Sequence, residues 1–158
     1  MNRLISCLII LLALNIPAYA EENPSKFPPL SWEPNIVTQL AKYTREKILP
    51  QAKLPNGSIV GPESNKEKQK PIIPPEFEQT IVDHAVFWNT VQWCGLSLKN
   101  ANFEFLQDSN KWNRKQLAFI ASLHGAATSL VKEQLQKKKA CSEDFRNYLK
   151  KNYPETND

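Results

Sequence analysis

Glycine, histidine and methionine are all scarce in this sequence. Its 158 residues include four Gly, two His, one Met and three Cys. The few glycines form neither G-x-G-x-x-G nor G-x-x-x-x-G-K-[ST], which excludes the backbone loops that cradle nucleotide phosphates. The histidines form no H-E-x-x-H pattern and the cysteines no C-x-x-C pair. Zinc-type ligand spacing, a thioredoxin-type couple and haem attachment are therefore unsupported, and neither a metal nor a cofactor is expected. Beyond the N-terminus, no apolar run approaches the roughly 20 residues that cross a bilayer, so an integral membrane protein is not expected. Charge of one sign is also modest: 20 Lys+Arg against 16 Asp+Glu give +4. That is less than the dense basic stripe of a dedicated nucleic-acid binder, so no specific nucleic-acid partner is expected. Hydrophobic content of 41% and charged content of 23% are those of an ordinary soluble domain, and the length suits a single one.

The N-terminus carries the clearest signal. Residues 1–20 read as a secretory signal peptide, with Arg3 as the positive end, Leu4 to Leu14 as the apolar stretch and Ala18-Tyr19-Ala20 as an A-x-A cleavage site. Leu4-Ile5-Ser6-Cys7 resembles a lipoprotein box, but the apolar stretch continues after Cys7 instead of preceding it. Cleavage after Ala20 predicts a soluble periplasmic or secreted protein beginning at Glu21, with charge reduced from +4 to +3 by the loss of Arg3. Cys7 leaves with the signal. Cys94 and Cys141 remain as an even pair in an oxidising compartment, which predicts one disulfide.

Proline divides the remainder. Residues 21–75 hold ten of the twelve prolines, whereas 76–158 hold only Pro154. Proline removes a backbone donor and blocks continuous helix, so 21–75 reads as an extended arm. One helix is expected within it, from about Asn35 to Leu49, and Asn56-Gly57 permits a short hairpin. The polar stretch from Gly61 to Lys70 reads as a flexible loop. The arm also holds Phe27, Leu30, Trp32, Ile59, Val60, Ile72 and Ile73, too many apolar residues for a free linker, and should wrap the domain.

Residues 76–158 read as a helical domain. Phe77, Ile81, Val82, Ala85, Trp88, Val91 and Cys94 recur at helical spacing and predict a helix over 76–96, with Gly95 as terminator. A shorter segment is expected over 100–107. Asn113-Arg-Lys-Gln116 reads as a capping box opening a helix to about Lys138. Ser142, with Glu143 and Asp144 behind it, opens a last helix to about Lys151. The fold class expected is mainly α: a small irregular helical bundle with one disulfide and a Pro-rich, partly extended N-terminal arm.

Several residue groups admit both a structural and a functional reading. Small residues at Ala118, Ala121, Ser122, Gly125, Ala126 and Ser129 line one helix and suit close packing or a ligand groove. His124 is either a structural or surface histidine, or a general base or pH switch, since an unperturbed imidazole titrates near 6.5. His84 follows Asp83, and adjacent helical residues point about 100° apart, so those two cannot face each other as a dyad. Trp88 and Trp93 either complete the core or form an interaction patch. Lys137, Lys138 and Lys139 either cap a helix dipole or touch an anionic surface.

The segments LPNGSIVGPES, IIPPEFE, WCGL, NFEFL, KQLAFIASLHG and ACSED resemble a group of small exported proteins of proteobacteria, covering about residues 54–144. The resemblance implies an envelope address and no activity. More remotely, two cysteines 47 apart in a short helical exported chain are similar to HdeA-like acid chaperones and Rap/Tai immunity proteins, from which the Pro-rich segment departs. Together the residues predict a non-catalytic envelope protein that binds or protects a protein partner. The alternative is a small secreted hydrolase with a site near His124.

Overall fold

The computed structural model describes residues 28–98, 108, 111–138 and 140–157. The signal-peptide reading over 1–20, the segment expected over 100–107, Phe27 and Lys139 lie outside the described residues. The protein is mainly helical, an irregular bundle with one disulfide.

Helix α1 spans Pro34–Tyr43 and starts on a proline, whose fixed φ suits the first helical turn. It continues through a π-helical turn, Thr44–Ile48, and a 3-10 turn, Leu49–Gln51, that absorbs Pro50. The Asn-Gly turn then closes. Lys53 and Ile59 form an isolated antiparallel bridge, Gly57 has a φ of 83°, and the Leu54 N–H donates to the Ser58 carbonyl at 2.8 Å. The segment expected to be a flexible loop is instead structured. Ser64 and Glu67 form a reciprocal capping box around the short helix α2, Asn65–Lys68. Glu63, whose side chain is only 5% exposed, pairs with Arg45 at 2.5 Å and Lys115 at 2.8 Å. Lys115 also reaches Glu67 at 2.7 Å, so charges far apart in sequence tie this polar stretch to two helices.

Helix α3, Pro75–Trp93, ends in a Schellman motif. The Leu96 N–H donates to the Val91 carbonyl and the Gly95 N–H to the Gln92 carbonyl, with Gly95 at a φ of 68°. Helix α4, Arg114–Gln136, opens on the Asn113/Gln116 capping box that the sequence predicts. Helix α5, Glu143–Asn152, opens on the Ser142 hydroxyl, which accepts from the Phe145 N–H. Two-residue strands β1, Ser97–Leu98, and β2, Thr156–Asn157, pair antiparallel and tie the C-terminus back beside α3.

Helices α3 and α4 form the largest interface in the described structure. Their cross-contacts ascend together: Phe77 packs on Trp112, His84 meets His124, and Asn89 reaches Thr128. Neighbouring helices therefore run in the same direction. An up-and-down bundle alternates instead, which is why this one is irregular.

One core cluster joins both sides of the proline-rich boundary. Trp32, Val37, Leu40, Leu49 and Ile73 are buried with Ile81, Val82 and Val86 of α3 and Phe119, Ile120 and Leu123 of α4. Polar bonds fix the entry of the arm. The Trp32 N–H donates to Asp83 Oδ1 at 3.3 Å, and Gln79 Nε2 donates to the Trp32 carbonyl and to Asp83 Oδ1, each at 2.9 Å. A second, smaller cluster holds Val91, Cys94 and Leu96 against Phe145 and Leu149 of α5. Within it Cys94 and Cys141 are bonded, with Cα atoms 5.0 Å apart.

Candidate functional site

The two histidines, separated by 40 positions, meet across the α3–α4 interface. His84 Nδ1 and His124 Nε2 lie 3.1 Å apart, so one ring donates and the other accepts according to tautomer. Both side chains are half-buried, and the Trp88 ring stands 5.8 Å from the His84 ring on the adjoining turn. Burial pushes the His84 pKa below its ordinary value. Burial, then the neighbouring His84, brings that of His124 down to about 4. Both rings are therefore neutral near pH 7.

In the sequence, Asp83 is the acidic neighbour of His84. The structure turns Asp83 toward Trp32 and Gln79, and His84 toward α4. The signal available in the sequence was positional: His84 and His124 each flank the buried stripe of a long apolar helix, next to Ala85 and Leu123 respectively. Their meeting depends on the helices running in parallel, which no spacing within either helix reveals.

The small-residue stripe divides: Ala118 and Ala126 pack against the main core, and Ser122 is half-buried. Ala121, Gly125 and Ser129 are exposed, and a Cβ built on Gly125 would meet no atom within 4 Å. Asn89, buried on α3, donates to the Ala85 carbonyl at 2.7 Å and to Thr128 Oγ1 at 3.3 Å, adding a polar link one turn further along.

A second feature is an open cavity of about 640 Å³ beside the π-helical turn, with Lys42, Arg45, Glu63, Glu78 and Phe119 in its wall. Burial raises the Glu78 pKa while Arg45 opposes it. Glu63 is held below the usual carboxylate range by Arg45 and Lys115 against the cost of its burial, and Glu67 is brought down to about 2 by Lys115 and Ser64. His124 does not line this cavity.

Among the remaining candidates, Trp93 is half-buried and packs against both core clusters, which gives it a structural role. Lys137 forms an exposed i,i+4 pair with Glu133 at 2.8 Å, and Lys138 is exposed just beyond α4. Both lie where cations complement the helix dipole. Among the described residues, no helix is long and apolar enough to cross a membrane, and no group of three or more His, Cys, Asp or Glu could hold a metal.

Comparison with protein-family models, with curated proteins and with solved structures gives no match. What the fold and site define is thus a class by architecture: a disulfide-linked, mainly helical bundle with a paired-histidine seam.

The seam predicts an acid-sensitive stability. A histidine with a lowered folded pKa disfavours the charged form in the fold. Its contribution is complete above the unfolded value near 6.5, falls as pH drops toward about 4, and changes no further below that. After discounting for solvent screening of half-buried groups, the expected loss is about 1–2 kcal/mol. Glu63 and Glu67 act only below the ordinary carboxylate value, and Glu78 acts with opposite sign. The comparison is therefore with His124→Gln. In chelator-containing buffer, urea midpoints of the variant should vary less between pH 6.5 and 4 than those of the wild type; parallel profiles would exclude the effect.

Proposed function

We propose that the protein is exported, loses residues 1–20 after Ala20, and acts in the periplasm or outside the cell as a non-catalytic protein that binds or guards another protein. The bridge between Cys94 and Cys141 carries most weight. Structural disulfides persist in oxidising compartments, and this one fastens the final helix to the rest of the bundle. Support for a binding role comes from the surface. Ile59 stands 59% exposed at the bridged turn, and Tyr148 is 38% exposed on α5 near Tyr153. Lys137 and Lys138, with Lys139 next in sequence, would add contact with an anionic surface.

A hydrolase centred on His124 has less behind it. Such a site needs a base beside a carboxylate of perturbed pKa in a cleft. The charge partners of the shifted carboxylates Glu63, Glu67 and Glu78 are Arg45 and Lys115, and the ring facing His124 is another imidazole.

Expression of the full chain in a bacterial host with fractionation and intact-mass measurement tests the address. The expected species is periplasmic, begins at Glu21 and contains no free thiol; an uncleaved cytoplasmic species would overturn the reading. Crosslinked pull-down from native envelope extract tests the role. A defined protein partner, lost on Ile59→Asp or Tyr148→Asp, is expected. Turnover of a hydrolase substrate that is abolished by His124→Gln would favour the alternative.

A further inference from the structure

We propose that the Asn56-Gly57 turn modifies itself. The Gly57 backbone nitrogen attacks the Asn56 side-chain amide, Ser58 holds the developing charge, and Asn56 becomes aspartate and isoaspartate. Asn56-Gly57 is the only Asn-Gly pair in the sequence. Glycine has no side chain to obstruct its own nitrogen and has the widest backbone freedom, so this pair closes a five-membered ring most readily. Asn56, Gly57 and Ser58 are all exposed, which admits water and a solvent base.

The structure adds activation to this intrinsic tendency. Asn56 Oδ1 accepts two hydrogen bonds, from the Ser58 hydroxyl at 2.7 Å and from the Ser58 N–H at 3.2 Å. Attack at Cγ turns that oxygen into an oxyanion. Both donors are already bonded to the atom where charge develops, and a bond to a charged acceptor is about twice as strong as a neutral one. Ser58 therefore favours the transition state over the resting amide. One contact opposes the reaction: the Gly57 N–H donates to the Leu54 carbonyl at 2.8 Å. That bond must open first. It lies in a short exposed turn beside an isolated bridge, the kind of structure that opens locally at little cost.

The atoms balance with water as the co-reactant. A solvent base takes the Gly57 amide proton, the Gly57 N–Cγ bond forms, and the Cγ–Nδ2 bond breaks as ammonia leaves. Water then opens the cyclic imide. Cleavage of the new Cγ–N bond gives aspartate. Cleavage between the Asn56 main-chain carbonyl and the same nitrogen gives isoaspartate, with the backbone routed through Cβ and Cγ. Either product is ionised at neutral pH and puts a negative charge on the turn that carries Ile59, which is 59% exposed.

Protein recovered from full-chain expression is incubated at mildly acidic and mildly alkaline pH, and the 54–66 tryptic peptide is followed by tandem mass spectrometry. The same peptide contains Asn65, exposed but followed by Lys66, as an internal control. A gain of about 1 Da is expected at Asn56 and not at Asn65, faster at alkaline pH. It should appear in two chromatographic forms. One should match the peptide from Asn56→Asp, and the other should resist an aspartate-specific protease. Ser58→Ala should slow the gain about two- to tenfold, the worth of one hydrogen bond, and Ser58→Thr should restore it. No gain at Asn56 beyond that at Asn65, or equal rates in the wild type and Ser58→Ala, would overturn the proposal.

Discussion

Replacing Cys94 and Cys141 together by alanine should lower the stability of the protein by about 4 kcal/mol, the chain-entropy value for a loop of this length. The two cysteines are 47 positions apart, so the bond removes a large volume of unfolded conformations. A domain of this size is stable by only about 5–15 kcal/mol, so the loss is a large fraction of the whole. It should also be uneven in space. Helix α5 is held by the small cluster of Phe145 and Leu149 with Val91 and Leu96, by the bridge itself, and by the two-residue β1–β2 pairing. Without the bridge, amide exchange should rise first in α5 and the C-terminal strand, while the α3–α4 core remains the most protected region. Denaturant midpoints of the oxidised, reduced and double-alanine forms, with hydrogen exchange, decide this. Identical midpoints would show that the bond contributes nothing.

Trp32→Ala should cost a further class of energy, about 3–5 kcal/mol, the range for truncating a large buried aromatic. Trp32 belongs to the arm, yet it is only 7% exposed and sits in the main core with residues of α1, α3 and α4. Its backbone is fixed as well, through Asp83 and Gln79. The expected result is a single cooperative transition at lower denaturant. Local fraying of an otherwise unchanged bundle would instead mean that the arm is an appendage. Ile59→Ala serves as contrast: at 59% exposure its expected change is within about 0.5 kcal/mol.

Much of the local structure was legible because its causes are local. The Asn113/Gln116 box, the Ser142 cap and Gly95 as terminator depend on residues within one turn of each other, and the backbone bonds appear where those side chains predict them. The Gly61–Lys70 stretch was misread for the same reason. Its polar text shows no apolar periodicity, and its order comes from Arg45 and Lys115, which lie 18 and 52 positions from Glu63. The small-residue stripe was legible only in part, since Ala118 and Ala126 do pack against the core. Spacing marks a face of α4 without saying whether another element covers it, and Ala121, Gly125 and Ser129 are exposed.

The sequence by itself determined the helical class and the caps of the longer helices, and it carried the expectation that Cys94 and Cys141 pair. Periodicity, capping chemistry and the cysteine count are properties of short windows or of composition. Only the tertiary structure decided that α3 and α4 run side by side in the same direction, and that direction is what brings His84 to His124. Chain direction between helices is set by how long connections and buried faces fit together across the whole core. Two half-buried imidazoles 40 positions apart therefore carry no mutual signal until the fold places their nitrogens 3.1 Å from each other.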